Sequence, residues 1–521
     1  MNFLRKITSW LPKMKKNKKK EMASPILTLA LVSLIAALLL SFFVKGDYAN
    51  GLAYQKNGDR QTSVGSPYES SSSTSRYVLT EAIVSGSYNL TEDQARFASP
   101  DVSRYNNRFL SIFMPGVSFL GVPFYIIGQQ FNAPQLLTYL SVTLFGFANM
   151  LLIARIAYKL GANVYASMLG GFLFLFGTNA LAYSVVFTQH ITSVSFILLS
   201  LLMLLSKPRV INFALFGVFL GMALLLDVPN MILMVPLCIA LLAKNVTLFK
   251  QYSVTKLKLN LKIFAVLIGL IPMIVFTGWY NYQVTGTYTK IGQFIGQTAY
   301  FRDNVTVEKK NSETKAKVVP FNPRDQINGA YILLLSNERS WLVYSPIVLI
   351  GILGLYTLYR QRLHRLIANA IIGTVLLNVV LYSMFPDPWG GWAFGSRYLI
   401  PAAALMSIGV AIAIQQYKTK LWFGALFIVL AMYSLFISAL GALTTSAVPP
   451  KVEAVNLASP IPYTYAYNLQ FIQQNDLSSL LYNILFSQVS AIVYMGALVA
   501  IAGVVTILLY QSAVFAGRRR A

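Results

Sequence analysis

Apolar residues in this chain fall in long unbroken blocks rather than in the 3.6-residue stripes of a soluble amphipathic helix. Ser24–Val44 carries no charge, and about 20 such residues let a helix cross a hydrocarbon core of roughly 30 Å. Further blocks follow at Pro134–Ile156, Val164–Tyr183, His190–Leu205, Val210–Leu226, Met231–Ala243, Leu261–Tyr280, Trp341–Tyr359, Leu366–Met384, Leu399–Ala413, Leu421–Leu443 and Leu485–Tyr510. The pattern predicts an all-α polytopic membrane protein with about 12 spans, within a range of 11–13. Phe109–Gln130 is also apolar, but it holds Pro115, Gly116, Gly121, Pro123 and Gly128. It reads as a juxtamembrane or re-entrant helix rather than a span.

The charges decide the topology. Basic residues crowd the first twenty positions (Arg5, Lys6, Lys13, Lys15, Lys16, Lys18, Lys19 and Lys20). They return at every second junction: Arg155/Lys159, Lys207/Arg209, Lys244/Lys250/Lys256/Lys258, Arg360/Arg362/Arg365, Lys418/Lys420 and Arg518–Arg520. The positive-inside rule places these junctions and both termini in the cytoplasm, and counting Phe109–Gln130 as a span would invert every later helix. The expected organisation is a basic cytoplasmic tail (1–23), then a transmembrane core (24–443) with outer loops 45–133 and 281–340. A third outer loop (444–484) and a last helix with a basic tail (485–521) complete it. The first block is longer than the 7–15 residues of a signal-peptide core, so it reads as an uncleaved helix.

Composition agrees. Of 521 residues, 56% are hydrophobic and 11% charged, and mean hydropathy is +0.59, too little polar surface for a water-facing enzyme. The net charge of +25 marks topology, not a nucleic-acid footprint, because much of it lies in the junctions. Cys238 is the single cysteine, so no intrachain disulfide exists. Short basic junctions and the lack of a eukaryotic retention signal point to a multi-pass protein of a bacterial cytoplasmic membrane, with any chemistry on the extracytoplasmic face.

No nucleotide-binding, dinucleotide-binding or zinc motif occurs, so no cofactor is implied and a divalent metal lacks support. Gly217 and Gly221 form a GxxxG suited to helix packing. In the first outer loop a helix over Thr74–Val84 is expected on the membrane surface, with Tyr77, Ile83 and Val84 partly buried. Asp101 would follow near the interface, either as a cap or solvated acid or as a functional one. In Pro386-Asp387-Pro388-Trp389-Gly390-Gly391-Trp392-Ala393-Phe394-Gly395-Ser396-Arg397-Tyr398-Leu399 the paired glycines suit a tight turn and the indoles suit headgroup depth. Arg397 could grip a phosphate in bidentate fashion or snorkel to lipid headgroups. His190 and Asp227 flank spans on the outer side, where an ionisable group is a candidate for function or a boundary residue.

The Trp389–Leu399 run resembles the W-G-G-W-x-[FY]-G-x-R-Y-L signature of bacterial GT-C-type membrane glycosyltransferase-like proteins, relatives of protein O-mannosyltransferases and aminoarabinose transferases. Leu333–Pro346 resembles a second block of that family, and Ser75-Arg76-Tyr77 through Asp101 to Pro123-Phe124-Tyr125 a third. The resemblance implies a GT-C-like fold, a polyprenyl-phosphate sugar donor, a glycan, lipid or protein acceptor, and an acidic base in the first outer loop. Asp101 takes that role, while Arg397, Arg76, Trp389, Trp392, His190, Asp227 and Glu69 are expected to border the substrate. Departures are present. Where relatives often carry Tyr-Ser-Asp-Lys this chain has Leu110-Ser111-Ile112-Phe113, and an expected Asp-Glu pair is replaced by Ser73-Thr74, leaving Glu69 as the nearest acid. A flippase or transporter, a polymerase of lipid-linked glycans, and a non-catalytic relative are the alternatives.

Overall fold

The computed structural model describes residues 19–46, 65–251, 254–296 and 322–518. Residues 1–18 of the expected basic tail, 47–64 of the first expected outer loop and 297–321 of the second lie outside this range. Among the described residues the fold is all-α apart from two hairpins. Its helices are α1 (Lys19–Ser41), α2 (Ser71–Val84), α3 (Glu92–Ala98), α4 (Gly116–Gln130), α5 (Pro134–Lys159), α6 (Val164–Phe176), α7 (Ala180–Ser184), α8 (Gln189–Leu204), α9 (Val210–Leu226) and α10 (Asn230–Asn245). They continue with α11 (Ala265–Thr285), α12 (Gln326–Leu334), a single helical turn over Trp341–Tyr344, α13 (Gly351–Arg360), α14 (Arg365–Ser383), α15 (Ile400–Tyr417), α16 (Leu421–Leu443), α17 (Lys451–Ala454), α18 (Ala466–Gln473) and α19 (Ala491–Arg518).

Six helical segments among the described residues are long and apolar enough to cross a bilayer, and shorter apolar helices accompany them. α15 forms the centre, with every residue from Ile400 to Ile414 buried. α11 lies at the margin and turns Leu267, Ile268, Ile271, Ile274 and Val275 outward. So large an exposed apolar band is stable only against lipid, and the molecule is an integral membrane protein.

Each predicted apolar block contains helix, but two are broken and one is shortened. Val164–Tyr183 divides into α6 and α7 at Gly177-Thr178-Asn179, where Ser438 Oγ donates to the freed Thr178 carbonyl and Asn179 N–H donates to Ser345 Oγ. Trp341–Tyr359 divides at Ser345-Pro346, since proline cannot supply a helical N–H. The last block starts later than expected, at Ala491 instead of Leu485, after a π-turn over Tyr482–Phe486.

The segment expected to form the first outer loop also differs from expectation. α2 does not rest on a surface: Ser72 to Ala82 are all buried, Tyr77 fully so, because its small hydroxyl residues allow neighbours to approach closely. Glu81 ties α2 to its neighbours by accepting from Gln94 Nε2 of α3 (2.8 Å) and Tyr125 Oη of α4 (3.2 Å). Phe109–Gln130 is not one helix. Arg108–Ser111 is β2, paired antiparallel with β1 (Val102–Tyr105) across Asn106-Asn107, both at positive φ as a tight hairpin requires. Only Gly116–Gln130 is helical. The basic junction after α10 is a second hairpin, β3 (Val246–Gln251) with β4 (Val254–Leu259).

Basic junctions gather at one end of the bundle. Asn163, after α5, bonds to Gln415 of α15 and to Ala513 of α19, and Lys244 Nζ donates to the Leu204 carbonyl. The polar segments expected to form the outer loops meet at the other, where Glu69 accepts from Thr445 and Ser479 Oγ donates to the Phe42 carbonyl. Gly217 and Gly221 perform the packing expected of them: a Cβ on Gly217 would lie 1.9 Å from the Val266 carbonyl oxygen, and one on Gly221 2.4 Å from Met273 Cβ. Gly217→Leu is therefore expected to destabilise the α9–α11 contact by at least about 1–3 kcal/mol. Gly496→Ala, where a Cβ meets nothing within 4 Å, should leave the melting temperature of the detergent-solubilised protein unchanged or raise it.

Candidate functional site

α2 presents two adjacent faces to the cluster. Ser71 and Ser75, one turn apart, share a face and hold Asp101. Ser71 Oγ donates to Asp101 Oδ2 (2.7 Å), and Ser75 Oγ donates to the Asp101 carbonyl (2.7 Å) and lies 2.8 Å from Ser111 Oγ of β2. Asp101 is buried, which makes it an anchored acid rather than a solvated one.

On the next face Arg76 is 1% exposed. Its Nη1 donates to the Ser72 carbonyl (2.7 Å), its Nη2 donates to Gln189 Oε1 (2.5 Å), and its Cζ stands 3.7 Å from the Phe113 ring centroid. Its Nε–H is buried without an acceptor. Burial pushes the Arg76 pKa down to about 9; Asp227 and Asp101 oppose that, and Arg397 adds to it. The guanidinium therefore stays charged at neutral pH.

Asp227 ends α9 in extended backbone. It accepts from Gln189 Nε2 (3.2 Å) and Gln293 Nε2 (3.3 Å). Burial raises its pKa, and Gln189, Arg76 and Gln293 moderate the rise.

Arg397 enters at the start of α15. Gly390 and Gly391 adopt φ of +75° and +63°, which only glycine takes freely, and a Cβ on Gly390 would come within 2.8 Å of Arg397 Nε. The guanidinium packs beside the Tyr398 ring, with Cζ 5.4 Å from its centroid, and its Nε–H is likewise buried without an acceptor. Beside it His190 is flanked edge-on by Tyr183 (5.8 Å) and Tyr398 (6.0 Å), and Tyr398 stacks on Tyr382 at 4.4 Å.

Asp101, Asp227, Arg76, Arg397 and His190 are thus brought to one locality from five separate stretches of chain. The remaining expectations are placed differently. Glu69 is committed to other partners: it pairs with Lys45 (3.3 Å) and accepts from Gly65 N, Thr445 Oγ1, and Ser446 N and Oγ. Trp389 Nε1 donates to Glu338 Oε2 and Trp392 Nε1 to Glu453 Oε2, both at 2.6 Å. The indole N–H groups therefore tether the loop to neighbouring segments.

Sequence reasoning passed over Gln189, Gln293 and Asp387. Burial raises the Asp387 pKa, against the lowering effect of Arg397 and of hydrogen bonds from Gly391 and Gly390 N–H. A signal was present for two of them: Gln189 adjoins His190, and Asp387 opens the double-tryptophan run. No group of three or more His, Cys, Asp or Glu suited to a metal gathers among the described residues.

No protein-family model matches the chain, and no curated protein does. Among solved structures it is similar to ArnT from Cupriavidus metallidurans in the apo state, with 12% identity, a TM-score of 0.49, and coverage of 93% of this chain and 75% of that one. The same ArnT bound to undecaprenyl phosphate gives 13% identity, a TM-score of 0.49 and the same coverage. The oligosaccharyltransferase AglB from Archaeoglobus fulgidus, in complex with an inhibitory peptide and a dolichol-phosphate, gives 12% identity and a TM-score of 0.44, over 91% of this chain and 60% of that one.

The Lys45–Glu69 pair is 0% and 2% exposed, so Lys45→Ala would strand a buried carboxylate at a cost of about 3–5 kcal/mol. Burial acts to raise the Glu69 pKa, but Lys45, Thr445 and Ser446 outweigh it and hold it below the ordinary value. A depressed folded-state pKa contributes stability above the unfolded value that is lost as pH falls through the folded one. Thermal melts over an acid series should accordingly fall less steeply for Glu69→Gln than for the wild type.

Proposed function

We propose that this protein is a membrane glycosyltransferase that moves a sugar from a polyprenyl-phosphate donor to an acceptor on the extracytoplasmic face, with inversion. The observation carrying this reading is the pair Arg76 and Arg397. They are two guanidinium groups close enough to repel each other, each with a buried and unsatisfied Nε–H, beside acids at the end of the bundle opposite the basic junctions. Unsatisfied donors of this kind favour a phosphate. The basic junctions support the orientation, and the signature at Trp389–Leu399 supports the donor class.

In this mechanism Asp101 takes the proton of the acceptor hydroxyl as its oxygen attacks the anomeric carbon. The bond from that carbon to the phosphate oxygen breaks, and the electron pair leaves on the polyprenyl phosphate. Arg397 and Arg76 neutralise the charge that develops there, and His190 and Tyr398 bound the space beside it. Base assistance is worth about 10²–10⁴-fold, so positioning and charge stabilisation supply the remaining acceleration. A second reading, a lipid-phosphate binder without transferase activity, draws on the hydroxyls at Ser73 and Thr74, both fully buried in α2.

Transfer of radiolabelled sugar from lipid-linked donor in proteoliposomes tests the proposal. Asp101→Asn should lower turnover about 10²–10⁴-fold while donor binding persists, and Arg397→Ala should weaken donor binding itself. Wild-type turnover by Asp101→Asn would remove Asp101 from the role of base. Donor binding without transfer by the wild-type protein would favour the second reading.

A further inference from the structure

We propose that Gln189 is a positioning residue that fixes the Arg76 guanidinium by linking it to Asp227. The inference rests on the reading of Arg76 as a lipid-phosphate ligand. The chain of contacts is continuous: Gln189 Nε2 donates to Asp227 Oδ2 at 3.2 Å, and Arg76 Nη2 donates to Gln189 Oε1 at 2.5 Å. Gln189 is 8% exposed, Asp227 7% and Arg76 1%, so water has little access to replace any link.

The amide can serve in one orientation only. A guanidinium only donates and a carboxylate only accepts, so the carbonyl end of Gln189 must face Arg76 and its NH₂ end Asp227. A glutamate here would set a second carboxylate against Asp227, and an apolar residue would leave both charges without a link. Separation also matters. Contacting directly, Asp227 and Arg76 would form a closed ion pair and spend the guanidinium on protein. With the amide between them, Asp227 still offsets Arg76 electrostatically, while only one edge of the guanidinium is taken up.

The other constraints complete the orientation. Ser72 holds Nη1 and the Phe113 ring covers one face, so rotation about the side chain is blocked and Nε–H is left as the unsatisfied donor. Asp227 is itself held at Oδ1 by Gln293, from the turn Gly292–Phe294. Residues from α2, α8, the end of α9 and the segment after α11 therefore combine to aim one cation.

A double-mutant cycle on the full chain in lipid nanodiscs, with undecaprenyl phosphate as the titrated probe, separates positioning from packing. Gln189→Ala and Arg76→Met should each weaken binding about tenfold, the size of one lost charge-assisted hydrogen bond. The double variant should bind no more weakly than Arg76→Met alone, because Gln189 acts only through Arg76. Additive losses, or unchanged binding by Gln189→Ala, would overturn the positioning role. Unchanged binding by Arg76→Met would instead overturn the lipid-phosphate reading. If Gln189→Ala does not fold, Asp227→Asn replaces it, with a smaller loss expected that again vanishes in the Arg76→Met background; a loss that persists there overturns the proposal.

Discussion

A guanidinium taken out of water forfeits several kcal/mol of solvation unless hydrogen bonds and opposite charge replace it. This chain buries Arg76 and brings Arg397 close enough for the two to repel. Much of the surrounding structure can be understood as compensation for that placement. Asp227 and Asp101 supply opposite charge to Arg76, and Asp387 supplies it to Arg397. Tyr398, Tyr183 and Phe113 supply ring contacts and phenolic partners. The compensation is incomplete, since each arginine retains a buried Nε–H without an acceptor. A native fold rarely tolerates such groups without a reason.

Arg339 provides an internal comparison. It too is fully buried, yet its nitrogens donate to the carbonyls of Trp389, Glu338, Tyr463 and Val448. Three distant stretches of chain are thereby pinned to the arginine's own. An arginine satisfied by backbone oxygens serves architecture, whereas one with a donor left over can bind an anion. The two kinds lie in neighbouring motifs, and the difference between them is geometric, not compositional.

That difference marks the limit of what the sequence discloses. Apolar blocks of bilayer length and basic residues at alternate junctions made the spans and the two ends of the bundle legible. Asp101, Asp227, His190, Arg76 and Arg397 could be picked out because ionisable residues are few in so apolar a chain. Glu69 stood out by the same rule, but its partners, Lys45 and Thr445–Ser446, lie on segments distant in sequence. No local pattern reports that a carboxylate is already saturated by residues 24 and 376 positions away. The helix breaks at Gly177-Thr178-Asn179 and Ser345-Pro346 were equally hidden, because hydroxyls distant in sequence, Ser438 and Ser345 at the first and Ser434 at the second, meet the freed backbone there. Burial of α2 was missed since its serines and threonines read as polar surface, while in the fold their small size lets α4 and the Asp101 loop close over them.

The donors around the acids make Asp101 and Asp227 unequal partners for a proton. A hydroxyl both donates and accepts, so when Asp101 gains a proton Ser71 can turn and accept from it. The Ser71 hydrogen bond then survives with its direction reversed, while Arg76 loses the opposite charge that Asp101 supplies. Asp227 has no such freedom at Oδ2, where it receives an amide N–H whose other end is committed to Arg76. Protonation there would weaken the link that fixes the guanidinium. The same cluster therefore contains one acid whose surroundings can follow a change of charge and one whose constancy orients a cation. That division matches the proton-accepting role proposed for Asp101, and it explains why the buried carboxylate at Asp227 is separated from Arg76 by an amide instead of touching it.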